Sequence, residues 1–137
     1  MKSKISQKRG LEFYQNLAKA FYVIAASDGT VRKQEFEKLK EIVKTSWLEI
    51  DAIEDEFGAD AAFQIEIVFD WLKAEELSIQ DCFNDFKEFK TNNAQLFTKP
   101  VKKLIWKTCD TIASSFYGLN KRELEILYKV KNVLGKP

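Results

Sequence analysis

Displaced by 88 residues, this 137-residue sequence matches itself without a gap. Ile24-Ala25 falls on Ile112-Ala113, Ser27 on Ser115, Lys33 on Lys121, Glu35 on Glu123, Glu37 on Glu125 and Leu39 on Leu127. Apolar character is kept where identity is not: Leu17 matches Ile105, Val31 matches Leu119, Phe36 matches Leu124 and Ile42 matches Val130. A repeat of this kind is one supersecondary unit used twice. Its apolar residues recur at three- and four-residue steps, so the unit reads as helix, turn and helix. Two such hairpins, related by a pseudo-twofold, are expected to bracket the sequence between them.

The rest of the chain also reads as helix. The first helix is expected over about residues 9–27, with Leu11, Tyr14, Leu17, Ala18, Phe21, Tyr22, Ile24 and Ala25 inward, behind a flexible basic tail of residues 1–8. Asp28-Gly29 marks a turn, because Gly accepts positive φ and Asp bonds nearby backbone N–H groups. The second helix turns Phe36, Leu39, Ile42 and Val43 inward and ends near Trp47. Residues 48–58 read as a short acidic helix closed by Gly58, and Asp60 can cap the next.

Ala61 to Ala74 is the most apolar stretch. Phe63, Ile65, Ile67 and Phe69 alternate as a strand would, yet length and Ala and Leu content favour a buried helix. Ser78 with Asp81 resembles a capping box in front of a stripe of Ile79, Cys82, Phe83, Phe86 and Phe89. Thr98 and Pro100 open a helix with Val101, Leu104, Ile105, Cys109 and Ile112 inward. Asn120 with Glu123 starts the last helix, and Gly135 ends it. The expectation is one all-α domain over 1–137: a compact bundle of about seven helices with short connections. Two Pro and five Gly are too few for a turn-rich β fold.

Composition removes whole classes of chemistry. The chain has no histidine, which excludes Ser-His-Asp and Cys-His triads, HExxH zinc sites and two-His iron sites. It has no Gly-rich phosphate loop. Met1 to Arg9 is basic with no apolar run behind it, and nothing approaches the roughly 20 apolar residues that span a bilayer. A soluble, cytoplasmic protein without membrane insertion is therefore expected. Cys82 and Cys109, set among apolar residues, are expected to be reduced and buried.

The net charge of +1 hides a segregation: residues 1–44 sum to +5, residues 45–86 to −11 and residues 87–137 to +7. An acidic middle folded against basic ends accounts for this, and the alternative is an acidic surface for a cation or basic partner. Lys99, Lys102, Lys103 and Lys107 line one helix side. A nucleic-acid surface would need exposed aromatics among them, and only Trp106 qualifies, so no nucleic-acid partner is expected.

The two repeats differ where chemistry would sit. Asp28-Gly29 is replaced by Phe116-Tyr117, while Glu123 still matches Glu35, so any site belongs to the first copy. Asp28 to Val31 and Glu35 fit positions five to eight and twelve of an EF-hand loop, but Ile24 and Ala26 occupy positions one and three and cannot coordinate. Calcium takes six to eight oxygens, so a standalone EF-hand is rejected. A divalent cation (Ca, Mg or Mn) held by Asp28 and Glu35 would have to borrow Asp51, Glu54 or Asp55 from the acidic middle. Otherwise Asp28 caps the second helix, which Arg32 leaves open, and Glu35 is a surface residue or an interhelical partner of a lysine.

Ala-Ala-Ser-Asp-Gly-Thr-Val at Ala25 to Val31 followed by Glu35, with Ile-Ala-Ser-Ser, Glu123, Leu127 and Val-Leu-Gly at the other end, resembles the tellurite-resistance TerB-like family. That family includes the N-terminal domain of DjlA-type membrane co-chaperones, and the likeness covers about residues 9–135. It implies a compact helical bundle whose acidic centre binds divalent metal. It further implies a non-catalytic stress-response role beside a TerC-like membrane protein and TerD-like partners, peripheral to the inner membrane. Arg32 departs from the Ser, Thr or Asp that the family pattern places there, and the second repeat lacks its Asp-Gly.

Overall fold

The computed structural model describes residues 2–27, 31–47, 63–114 and 121–135. Among them are six α-helices and no strand: α1 Lys2–Ala25, α2 Lys33–Thr45, α3 Gln64–Glu75, α4 Ile79–Asn92, α5 Lys99–Ala113 and α6 Lys121–Leu134. A single 3-10 turn, Ala94–Leu96, lies between α4 and α5. The alternation at Phe63–Phe69 is thus helical. The acidic helix expected at 48–58 and the caps expected of Asp60 and Asn120 lie outside the described residues.

Local chemistry sets the helix ends. Ser78 Oγ accepts from the Asp81 N–H at 3.2 Å, and Thr98 Oγ1 accepts from the Val101 N–H at 3.4 Å, so α4 and α5 start on side-chain caps. Pro100 sits in the first turn of α5, where its missing N–H costs nothing. α6 stops at Gly135, which takes φ +80°, and its N–H reaches back to Lys131 O at 2.9 Å. α3 ends on a left-handed residue that is not glycine: Glu76 has φ 51°. There the Glu76 N–H bonds Lys73 O and the Leu77 N–H bonds Leu72 O, each at 3.3 Å, closing the helix end with a Schellman pair.

α1 is the central element: Glu12, Gln15, Asn16 and Lys19 leave one side of its middle turns open, and its last turns have no such side. It packs on α3, α4, α5 and α6, and Ala20 to Ala26 are all buried. A helix that is apolar all round belongs inside a bundle. Two expectations are corrected here. α1 begins at Lys2 rather than near residue 9, because nothing in residues 2–8 breaks a helix. Leu11, expected inward, is 39% exposed, although Phe13 and Tyr14 in the same turn are buried.

Around α1 the core is largely aromatic. Phe13, Tyr14, Phe21, Trp47, Phe69 and Phe86 are fully buried, each worth roughly 1.5–3 kcal/mol of burial. Phe13 meets Phe97 edge-on at 5.4 Å, Tyr14 meets Trp47 at 6.4 Å, and Tyr22 meets Phe69 at 6.1 Å. The Phe stripe of α4 is therefore core, with Phe86 buried and Phe83 and Phe89 half-buried.

Positions 88 apart behave alike. α1 ends at Ala25 and α5 at Ala113, and α2 begins at Lys33 and α6 at Lys121. Leu17 and Ile105, Ile24 and Ile112, Glu35 and Glu123, and Leu39 and Leu127 are all buried. α2 packs on α5, and reciprocally α6 packs on α1.

Candidate functional site

The turn between α1 and α2 is where the sequence places a site. Asp28 lies outside the described residues, as do Asp51, Glu54 and Asp55. Glu35 does not, and its position is informative. It is the third residue of α2 and only 2% exposed. Its Oε1 accepts the Arg32 N–H at 2.7 Å, while its own N–H returns to Arg32 O at 3.0 Å. This is the carboxylate half of a capping box, built without a Ser or Thr partner because the N-cap is Arg32. Of the two structural alternatives for Glu35, the surface placement is corrected: holding the α2 N-terminus draws the carboxylate inward. Glu123 occupies the same third position of α6 and is 5% exposed.

On the α1 side of the turn, Ser27 is buried and its Oγ donates to Ile24 O at 2.8 Å. Beside it opens a cleft of about 470 Å³ lined by Tyr22, Ala26, Val31, Lys73, Glu76 and Leu77. Among the described residues its lining carries one side chain of each sign, Lys73 and Glu76. Tyr22 closes one wall by donating from its hydroxyl to Leu77 O at 3.1 Å, and burial pushes its pKa up.

A larger groove of about 990 Å³ runs along α2 toward α3, with Lys33, Lys40 and Lys44 facing Glu37, Glu41 and Glu66. Burial raises the Glu66 carboxyl above its ordinary range, against the pull of Lys40 and Lys44. Phe36 stacks on Phe69 at 5.4 Å, and both Lys40 and Lys73 place Nζ 4.9 Å from the Phe36 ring centre. Lys40 and Lys73 are held by this aromatic face and by Glu37 and Asp70, at 3.5 and 3.8 Å respectively. Lys19 with Asp85 at 3.0 Å likewise joins the basic N-terminal segment to the acidic middle.

The other reactive groups are set in structural roles. Cys109 is fully buried and burial drives its thiol far above the ordinary range; Cys82 is also buried, and its thiol is raised by the same cause with Asp85 and Asp81 adding to it. Both are free thiols. Among the described residues no group of three or more His, Cys, Asp or Glu side chains is placed to hold a metal.

Trp106, the aromatic expected to stand open on the basic helix, is half-buried. Lys131 Nζ sits 4.6 Å over its ring and pairs with Asp110 at 2.7 Å. Among the described residues the exposed aromatics are Trp71 on α3, at 53%, and Tyr128 on α6, at 58%, neither of which the apolar periodicity singled out. Their signal was present as surplus: α3 carries Ile67 and Trp71 in addition to the stripe Ile65, Phe69 and Leu72 that fills its inner side. No protein-family model, curated protein or solved structure matches this chain.

Proposed function

We propose that this chain is a non-catalytic helical interaction module of TerB-like type, a scaffold that presents surfaces to a protein partner. The observation that carries the reading is how its buried polar side chains are used. Ser27 Oγ donates to a carbonyl of its own helix, Glu35 holds an N-terminal N–H, and Thr108 Oγ1 donates to Leu104 O at 2.8 Å while accepting from Trp47 Nε1 at 3.0 Å. Each bond fixes a helix end or a helix–helix contact. A catalytic interior would instead aim such groups into a cleft.

The coincidence of helix ends and burial at positions 88 apart supports a body built from two equivalent hairpins, the architecture that the TerB-like resemblance implies. On that resemblance the partners are a TerC-like membrane protein or TerD-like proteins, in a cytoplasmic stress response of the tellurite type. Capture of native partners from cell extract, with and without divalent cation, tests this. A module of this kind returns one or a few stoichiometric proteins; a chain that returns none and instead turns over a small molecule refutes it.

A second reading is favoured by the burial of Glu35 beside the turn. In it the chain is a carboxylate-only cation sensor or a small metal-dependent enzyme, with Asp28 and Glu35 as ligands and Asp51, Glu54 or Asp55 completing the set. Titration calorimetry with Ca²⁺, Mg²⁺ and Mn²⁺ separates the two. A sensor gives heat that disappears in Asp28→Ala, whereas a scaffold gives none and loses only about 1 kcal/mol of stability if that side chain caps α2.

A further inference from the structure

Two apolar pairs stand on the surface in opposite electrostatic settings. On α3, Ile67 is 57% exposed and Trp71 is 53% exposed, one helical turn apart, with Asp70 and Glu75 on either side. On α6, Leu124 is 36% exposed and Tyr128 is 58% exposed, also one turn apart. Lys121 stands beside that pair, and Arg122, Glu125 and Lys129 continue round the exposed side. Beside the α3 stripe stand Glu75 and Asp70, the latter with Lys73 at 3.8 Å, and beside the α6 stripe three bases, Lys121, Arg122 and Lys129, stand against one acid, Glu125. Single exposed apolar residues need no explanation, but an apolar stripe rimmed by charged side chains marks a contact surface.

The charges decide which pairing is open. Setting α3 against α3 of a second copy brings Asp70 and Glu75 rows together, and setting α6 against α6 does the same for lysines; like charges across a contact are costly. Setting α3 against α6 joins opposite signs, and rows spaced at four residues on both helices can interlock ridge into groove. We propose that this chain associates with itself head to tail, the Ile67–Trp71 stripe of one copy seated on the Leu124–Tyr128 stripe of the next. The contact is heterologous, so each copy keeps one unused surface of each kind, and growth continues until a ring closes or the copies run out. One helix pair makes a small interface, so the association is weak and concentration-dependent. It stands apart from the cation question and from the identity of any other partner.

Sedimentation equilibrium of the full chain, from micromolar to about 1 mM where the weakest specific contacts register, tests the proposal. The expected weight-average mass rises above the 15.9 kDa of one copy and passes that of a dimer. Trp71→Glu and Tyr128→Glu, both at exposed positions and checked for unchanged helical circular dichroism, each hold the chain at monomer mass. An equimolar mixture of the two variants regains one good interface per pair and stops at the dimer. Monomer mass at every concentration overturns the proposal, as does association that survives either variant, or a mixture that stays monomeric. A monomer whose Trp71 emission shifts only on adding a lysine-rich amphipathic peptide also overturns it, and assigns the α3 stripe to a basic helical partner.

Discussion

The indole N–H of Trp47 donates to Thr108 Oγ1 at 3.0 Å, across 61 positions of sequence and inside the core. Trp47 is 1% exposed and Thr108 fully buried, so neither group has water to fall back on. The same hydroxyl donates to Leu104 O at 2.8 Å, which orients its lone pair toward the indole. This one bond locks the end of α2 to the middle of α5.

Thr108→Val keeps the shape and removes the acceptor, leaving the Trp47 N–H buried and unsatisfied. The expected loss is about 1–3 kcal/mol in urea unfolding, and Thr108→Ser loses less because the hydroxyl remains. A double-mutant cycle with Trp47→Phe should return a coupling of roughly 0.5–1.5 kcal/mol. A coupling of zero would mean the bond does not tie the helices.

Glu35 caps α2 through a carboxylate oxygen, and the amide carbonyl of Gln offers a neutral acceptor in the same place. Glu35→Gln is expected to unfold within about 1 kcal/mol of the wild type, and Glu35→Ala to lose about 1–3 kcal/mol through the unsatisfied Arg32 N–H and the emptied space. If the second reading of the site holds, Glu35→Gln keeps the stability but abolishes cation heat. The pair of measurements separates capping from ligation.

Glu76 occupies a left-handed conformation that costs a side-chain-bearing residue roughly 1–2 kcal/mol. Glycine removes that strain but widens the unfolded ensemble. Glu76→Gly should therefore raise stability by up to about 1 kcal/mol, seen as a higher denaturation midpoint at unchanged m-value. The Schellman bonds at this end involve backbone only and survive the change.

Folding raises the Glu66 pKa above its unfolded value, mainly through burial. A carboxyl with a raised folded pKa gives stability that is present below the unfolded pKa and is lost as pH rises through the folded one, so ionised Glu66 works against the fold at neutral pH. Glu66→Gln is expected to be more stable than the wild type at pH 7, with the advantage vanishing at acid pH, where both side chains are neutral. The sign is the same for the thiols: Cys109 and Cys82 are raised by burial, so their contribution falls as pH climbs past the ordinary thiol range. Ellman's reagent should find both silent in the native state and both reactive in denaturant.

Much of this architecture could be read before any coordinates. Helical periodicity located the described helices, Ser78 and Thr98 announced their caps, and Gly135 its stop, because each signal is local and acts through backbone geometry. The ambiguous run at Phe63–Phe69 is helix, as its length and Ala and Leu content indicate, with Ile65 and Phe69 inward one turn apart and Ile67 left 57% exposed on the other side. The role of α1 was not legible. Periodicity records which side of a helix is apolar, but the all-round enclosure of Ala20 to Ala26 depends on four other helices converging there. Glu35 was singled out for its carboxylate, yet its capping half-box was missed, since an arginine N-cap carries none of the usual sequence signature. Trp71 and Tyr128 were missed for the opposite reason: their exposure is a property of what fails to pack on them.

The enclosed position of α1 has a consequence during synthesis. Its apolar turns leave the ribosome ahead of all four helices that pack on them, and the last of these, α6, is complete only at Leu134, more than one hundred residues after Ala26. At about 5–20 residues per second, the nascent chain trails an incompletely covered apolar segment for roughly 5–20 s. Until α6 arrives, that segment is a substrate for chaperones and for aggregation alike.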